Sequence, residues 1–175
     1  MSSGPDIREK VKESSGTVKK LELLIPGLRG YRKLEDIRAS DELLRNEVAD
    51  RLDKARNSLD SIRKKMVDAG DFANLSAIAS AMSRLQQLSG QVRHSEQGYS
   101  GIAANIRVDE DTLNRLYDFD SEFVSSAFNL ADFAAQVVYQ QDTIQSNIAS
   151  INSMIDEFKQ KWMTRIENVE GIIVR

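Results

Sequence analysis

The apolar residues between positions 34 and 66 recur at steps of three, four or seven, and neither proline nor glycine interrupts them. Such steps draw one apolar stripe down a helix and leave its other faces to charged residues. The stripe consists of Leu34, Ile37, Leu44, Val48, Leu52, Ala55, Leu59, Ile62 and Met66. It predicts one helix from about Tyr31 to Asp68, about 57 Å long at 1.5 Å per residue. A helix of this length requires partner helices of similar length to bury its stripe.

One shorter helical signal precedes this helix and another follows it. The first covers residues 6–24 and is expected to be firm only from Thr17, because the Ser-Ser-Gly sequence before it disfavours helix. After the long helix, Gly70 is predicted to adopt the left-handed conformation of a helix C-cap, and Asp71 to be the N-cap of the next helix. That helix is predicted over about Phe72–Gln97. Its buried stripe is predicted to be Phe72, Leu75, Ile78, Met82, Leu85, Leu88 and Val92.

The C-terminal third of the chain predicts two further helices. Asp109 is the expected N-cap of the fourth helix, which either ends or bends at Gln140–Asp142, and the fifth helix is expected to stop at Gly171. The fourth helix has two apolar stripes: Leu113, Leu116, Phe119, Phe123, Ala127, Leu130, Ala134 and Val137, and Tyr117, Val124, Phe128 and Val138. The fifth has one, formed by Ile144, Ile148, Ile151, Ile155, Phe158, Trp162, Ile166 and Val169.

Together these signals predict an all-α fold, an elongated and mainly antiparallel bundle of four long helices plus a short N-terminal helix. Residues 1–175 are expected to form a single domain, with residues 1–16 frayed. The steps mix threes and fours and do not keep a strict heptad, which favours a bundle core over a two-stranded coiled coil.

Composition and charge narrow the class of function. The net charge is −3, but residues 1–33 have eight basic and four acidic residues, whereas residues 109–142 have eight acidic residues and one basic residue. An acidic chain with one small basic end is a poor nucleic-acid binder, so no nucleic-acid partner is expected. The sequence has no apolar run of membrane-spanning length and no signal-peptide pattern at its start, so the expected localisation is cytoplasmic.

The residue types that perform catalysis are scarce. There is no cysteine, and His94 is the only histidine, so the two-histidine motifs of di-iron and zinc sites cannot be built. No glycine-rich phosphate loop is present. We therefore expect no metal, no cofactor and no enzymatic activity. The alternative is an enzyme of unrecognised type that uses carboxylates such as Asp41 and Asp120.

Several polar residues remain as candidates for contact or for internal ion pairs. Arg38, Asp41 and Arg45 are spaced by three and four residues on one helix face, and two readings of them stay open. They form either an ion network with the Tyr117–Asp120 turn of the fourth helix or a partner-binding patch.

The region around the first turn has further alternatives. Arg29 and Arg32 follow Gly27 at a helix start and either hold an anion or belong to a simple turn. The basic and apolar segment 19–33 either lies on an anionic membrane surface or covers one end of the bundle. Tyr31 and Tyr99 each follow a glycine and are predicted to pack the two turns together.

A set of turn motifs resembles a known family. The motifs are Pro26-Gly27-x-x-Gly30-Tyr31, then Glu35, Arg38, Asp41 and Leu44-Arg45, then Gly98-Tyr99-x-Gly101, and finally Leu113-x-x-Leu116-Tyr117-x-x-Asp120. Over residues 25–125 they resemble a family of uncharacterised prokaryotic helical proteins, although Ile102-Ala103 depart from its pattern. The resemblance implies a prokaryotic cytosolic helical protein and assigns no site. The predicted function is that of a non-catalytic interaction or scaffold protein, which either binds a protein partner or associates with itself.

Overall fold

The computed structural model of the chain describes residues 7–25, 28, 37–95 and 110–173, and these residues contain five α-helices and no β-strand. The prediction of an all-α bundle is confirmed. The helices are α1 (Ile7–Leu24), α2 (Ile37–Asp68), α3 (Leu75–His94), α4 (Glu110–Gln136) and α5 (Ile144–Ile173).

The four long helices pack in the order α2, α3, α5, α4 around a common core, and α1 packs on α4. Helices α2 and α3 are antiparallel, because Arg45 bonds to the carbonyl of Ser95 while Ser89 bonds to the carbonyl of Ala49. A turn at residues 69–74 joins these two helices. The short connection makes them antiparallel neighbours, as the sequence pattern predicts.

Helices α4 and α5 form a second antiparallel pair, joined at residues 137–143. Asp120 bonds to Arg165, and Phe123 stacks on Phe158, so the residue numbers rise along α4 as they fall along α5. The connections at 69–74 and 137–143 lie at the same end of the bundle, because Tyr139 bonds to Asp71. We call this end the turn end.

With two exceptions, the predicted apolar stripes are buried or half-buried where the structure describes them. From Leu44 onwards every predicted stripe residue of α2 is buried, as are those of α5 from Ile144 to Trp162. Most of the α3 and α4 stripes are buried or half-buried as well. The exceptions are Phe72 and Val138, which were predicted to be buried and are 68% and 64% exposed. Both lie in turn-end connections rather than in helices.

The start of α3 differs from the prediction for a clear geometric reason. Gly70 has a φ of 73°, which confirms its left-handed cap role. The N–H of Gly70 donates to the carbonyl of Val67, and the N–H of Asp71 donates to that of Met66. These two bonds form a Schellman motif, so Asp71 belongs to the end of α2. The prediction of Asp71 as N-cap is therefore wrong, and α3 begins at Leu75 after Asn74.

Two other predicted boundaries change, and one open alternative is decided. Helix α4 ends at Gln136 and α5 starts at Ile144, so the chain is interrupted around Gln140–Asp142 rather than bent. Helix α1 begins at Ile7, in agreement with the predicted range 6–24. Helix α3 ends at His94 rather than at Gln97, and α5 continues past Gly171 to Ile173. A glycine inside a helix costs about 1 kcal/mol, which lowers helix propensity without forbidding the helix.

Candidate functional site

Four charged side chains bond to one another inside the bundle. Asp41 and Arg45 come from α2, Asp120 from α4 and Arg165 from α5, and all four are buried. Arg165 Nη2 lies 2.5 Å from Asp41 Oδ1, and Arg165 Nε lies 2.6 Å from Asp120 Oδ1. Arg45 Nε donates to Asp41 Oδ2 at 2.9 Å. We call these residues the buried ion network; two carboxylates and two guanidinium groups balance each other within it.

Arg45 extends the network to a third helix. Its Nη1 lies 3.3 Å from the carbonyl oxygen of Val92 and 3.1 Å from those of Arg93 and Ser95. The last carbonyls of an α-helix have no partner within the helix and need one elsewhere. Arg45 therefore ties the C-terminal end of α3 to α2, and the network as a whole connects α2, α3, α4 and α5.

Aromatic rings pack against the network. Phe123 stacks on Phe158 and on Trp162, with ring centres 5.2 and 5.1 Å apart. The guanidinium carbon of Arg165 lies 5.6 Å from the centre of the Phe123 ring and 5.7 Å from that of Trp162. These distances are within the range of a cation–π interaction. The rings thus support the guanidinium group from the apolar side while the carboxylates bind its N–H groups.

Burial dominates the electrostatics of Asp120. Removal from water raises the pKa of its carboxyl above the ordinary value of 3.8, and this effect outweighs the charge and the hydrogen bond of Arg165, which lower that pKa. Both carboxylates of the network are almost inaccessible, since Asp41 is 2% and Asp120 is 1% exposed. A general acid or base must reach its substrate directly or through one water. The geometry therefore favours a structural role for both carboxylates.

The structure brings together some of the predicted site residues. Asp41, Arg45 and Asp120 meet in the network, and Tyr117 lies buried one turn before Asp120 on α4. Arg38 lies in the first turn of α2, but its side chain is not among those that the structure describes. The predictions for Arg29, Tyr31, Arg32 and Tyr99 fall outside the described residues as well.

Arg165 is the network residue that sequence reasoning missed. It follows Trp162 by three residues and Phe158 by seven, so it occupies a position on the buried stripe of α5. Asp41 likewise precedes Leu44 by three residues on the α2 stripe. Arg165 could have been predicted from one signal in the sequence. It is a charged residue at a stripe position of its helix, and residues of opposite charge occupy stripe positions of other helices.

A second feature is the exposed surface of α3 and α5 near the turn end. Residues 72–92 contain one charged residue, Arg84, and residues 133–155 contain one, Asp142, although charged residues make up 29% of the chain. Arg84 bonds to Asn152 and Asp156 of α5, which neutralises its charge. We call the exposed residues of these two segments the charge-poor face. It includes the exposed Phe72 and Val138 at its turn-end edge.

Hydrogen bonds hold the two connections at the turn end together. Tyr139 donates its hydroxyl to Asp71 Oδ2 at 3.3 Å, and Asn74 donates to both oxygens of the same carboxylate at 3.5 Å. Desolvation raises the pKa of the Tyr139 hydroxyl above 10.0, and the charge and hydrogen bond of Asp71 raise it further. The backbone that carries Phe72 and Val138 is thus bonded in place.

Comparisons with known proteins identify no relative: no protein-family model, curated protein or solved structure matches the chain. The resemblance to the uncharacterised prokaryotic family and the cytoplasmic localisation therefore stay predictions. None of the described helices is long and apolar enough to cross a membrane. Among the described side chains, no three His, Cys, Asp or Glu residues are grouped as metal binding requires.

Proposed function

We propose that this chain is a non-catalytic interaction or scaffold protein that binds a protein partner through its charge-poor face. The observation that carries the proposal is the exposure of Phe72 and Val138, 68% and 64%, within segments 72–92 and 133–155, which contain one charged residue each. The centres of protein–protein interfaces are depleted of charged residues and enriched in aromatic residues. An exposed phenylalanine on a charge-poor surface therefore matches the composition of an interface centre.

The buried ion network supports the non-catalytic part of the proposal. Asp41 and Asp120 are the carboxylates on which an unrecognised enzyme would depend, and both bind the guanidinium group of Arg165 in the core. A substrate could reach them only if the helices separated. Scaffold proteins need a rigid framework, and a network that connects four helices supplies one.

The membrane alternative finds weaker support in segment 19–33. Lys19, Lys20 and Leu23 are exposed, and Leu23 is the most exposed of the large apolar residues described, at 83%. Leu21, Ile25 and Leu28 are buried, however, so they cover the core. One inserted leucine contributes about 1.5–3 kcal/mol and each lysine about 1 kcal/mol. Leu23 is thus the one large apolar side chain that the described part of this segment leaves exposed for insertion.

Site-specific photo-crosslinking in the native host tests the proposal. A photoreactive phenylalanine analogue replaces Phe72 in one variant and Ser61 in a control, because Ser61 is exposed on α2, away from the charge-poor face. We expect covalent protein adducts from position 72 and none from position 61. Absence of adducts from position 72, or equal adducts from both positions, would refute the proposed role of this face.

A further inference from the structure

We infer that α1 is a releasable helix: it opens from α4 and unfolds locally while the other four helices keep their packing. In the closed molecule its residues Val18, Leu21 and Ile25 are at most 3% exposed, so opening presents an apolar surface that the bundle otherwise hides. The charge-poor face lies mainly on α3 and α5 and takes no part in this opening. The release of α1 is therefore independent of the proposed function.

Helix α1 has fewer neighbours than the other helices. Helices α2, α3 and α5 each pack on two others and α4 packs on three, whereas α1 packs chiefly on α4. Its buried side chains are therefore covered mainly from one direction. The opposite side of α1 is open to solvent, where Leu23 is 83% exposed. Local opening is easiest where a segment has few buried apolar contacts with the rest of the structure.

The polar contacts of α1 lie at the surface. The buried ion network connects α2, α3, α4 and α5 and does not include α1. Thr17 Oγ1 donates to Asp118 Oδ1 of α4 at 3.2 Å, in an exposed hydrogen bond. Lys19, Lys20 and Glu22 of α1 form no ion pair with another side chain that the structure describes. An exposed hydrogen bond contributes little to stability, because water replaces it when the helix opens.

The sequence of α1 does not support a helix that stands alone. Gly16 follows Ser14 and Ser15 within α1, and glycine and serine are poorer helix formers than alanine, leucine or lysine. Isolated helices shorter than about 12–15 residues are marginal in water even when their composition is favourable, and α1 has 18 residues. Once released from α4, α1 therefore loses its helix, and its backbone N–H groups exchange with solvent.

Hydrogen exchange followed by mass spectrometry tests the release of α1 in the unmodified chain. The backbone N–H groups of residues 18–25 exchange when α1 opens, whereas those of residues 44–66 on α2 exchange only when the core unfolds. We expect exchange at 18–25 to be at least about tenfold faster and to change little in low concentrations of urea, because a local opening exposes little surface. Exchange at 44–66 should accelerate steeply with urea. Equal rates, or the same steep urea dependence in both segments, would overturn the inference.

A core variant separates local from global opening. Leu59 is fully buried on α2, about five turns beyond Asp41, whereas the bond to Asp118 places α1 near the level of the buried ion network. Leu59→Ala should accelerate exchange at 44–66 at least about tenfold, since truncating a buried leucine destabilises the core. It should leave exchange at 18–25 unchanged, because the open state of α1 keeps the core contacts. Acceleration by the same factor in both segments would show that α1 opens only with the core, and the inference would fail.

Two further variants complete the test. Ile62→Val, a milder change on the same helix, replaces Leu59→Ala if that variant does not fold, and the same pattern is expected with smaller factors. Leu21→Ala is the matched variant on α1, because Leu21 is as deeply buried as Leu59. It should accelerate exchange at 18–25 at least about tenfold, since it weakens the packing of α1 on α4. No acceleration there would show that this packing does not hold α1 closed, and would also overturn the inference.

Discussion

Replacing Arg165 by methionine is the sharpest perturbation of the buried ion network. The change keeps an unbranched apolar side chain against Phe123 and removes the guanidinium group that bonds to both Asp41 and Asp120. Asp41 retains Arg45, whereas Asp120 loses the cation at 2.6 Å. Removing one partner of a buried ion pair costs about 3–5 kcal/mol. That loss is a large part of the 5–15 kcal/mol by which a typical domain is stable.

The cost should also depend on pH in a definite direction. Burial already raises the pKa of Asp120 in the folded wild type above 3.8, so the folded state binds the proton more tightly than the unfolded state. The contribution of Asp120 to stability is therefore fully present at acid pH and is lost as the pH rises from 3.8 through the folded pKa. Arg165→Met removes both effects of Arg165 that lower this pKa, so the folded pKa of Asp120 rises further. The pH range over which stability falls therefore becomes wider. The destabilisation should thus be larger at about pH 8 than at about pH 5.

Urea denaturation followed by circular dichroism at the two pH values measures both effects. Arg63→Met is the control, because Arg63 and Asp60 form an ion pair on the surface of α2, with side chains 40% and 31% exposed. The control should cost only about 0.2–0.5 kcal/mol, as expected of an exposed pair within one helix. Equal losses for the two variants would show that Asp120 does not depend on its buried cation, and a loss for Arg165→Met that does not change with pH would show that burial does not control the protonation of Asp120.

Gly90→Ala should raise the free energy of unfolding by about 0.5–1 kcal/mol in urea denaturation, since a methyl group there meets no atom within 4 Å. Gly70→Ala should lower it by about 1–2 kcal/mol, because Gly70 has a φ of 73°; a neutral effect would contradict its cap geometry. Phe123→Ala should cost about 3–5 kcal/mol, since the ring is fully buried and stacks on two rings of α5; a loss below about 1 kcal/mol would place it outside the core. Tyr139→Phe should remove one late step from the ultraviolet absorbance titration, because burial and Asp71 raise the pKa of Tyr139 above 10.0. The neutral hydroxyl stabilises the fold fully below pH 10, and this contribution is lost as the pH rises through the folded pKa.

Hydrophobic periodicity was sufficient to predict the helices because burial follows directly from it. Along α2 from Leu44 to Met66 and along α5 from Ile144 to Trp162, the predicted stripe residues are all buried. In both helices the apolar residues lie on one side and must face a neighbour. Periodicity contains no such information about residues beyond the helix ends, which is why Phe72 and Val138 were placed in stripes but are exposed.

The turn at Asp71 and the network around Arg165 depend on information that lies outside any one helix. An aspartate after a glycine suits an N-cap equally well by residue type, and only the hydrogen bonds of the Schellman motif assign it to α2. Asp41 and Asp120 were predicted as possible members of one ion network, but their common partner Arg165 is 45 residues from Asp120 in the sequence. The packing of α5 against α2 and α4 had to be known before Arg165 could be chosen.

The buried charges have a structural role inside the bundle, and the surface near Phe72 is proposed to make the functional contact. One variant separates the two roles, Asp120→Leu combined with Arg165→Met, which leaves Asp41 paired with Arg45. Replacement of a buried ion pair by apolar residues of similar size is often neutral or stabilising. We predict that this variant folds and that the photoreactive analogue at position 72 forms the same adducts as in the wild-type background. A folded variant that loses those adducts would show that the buried ion network itself takes part in the contact.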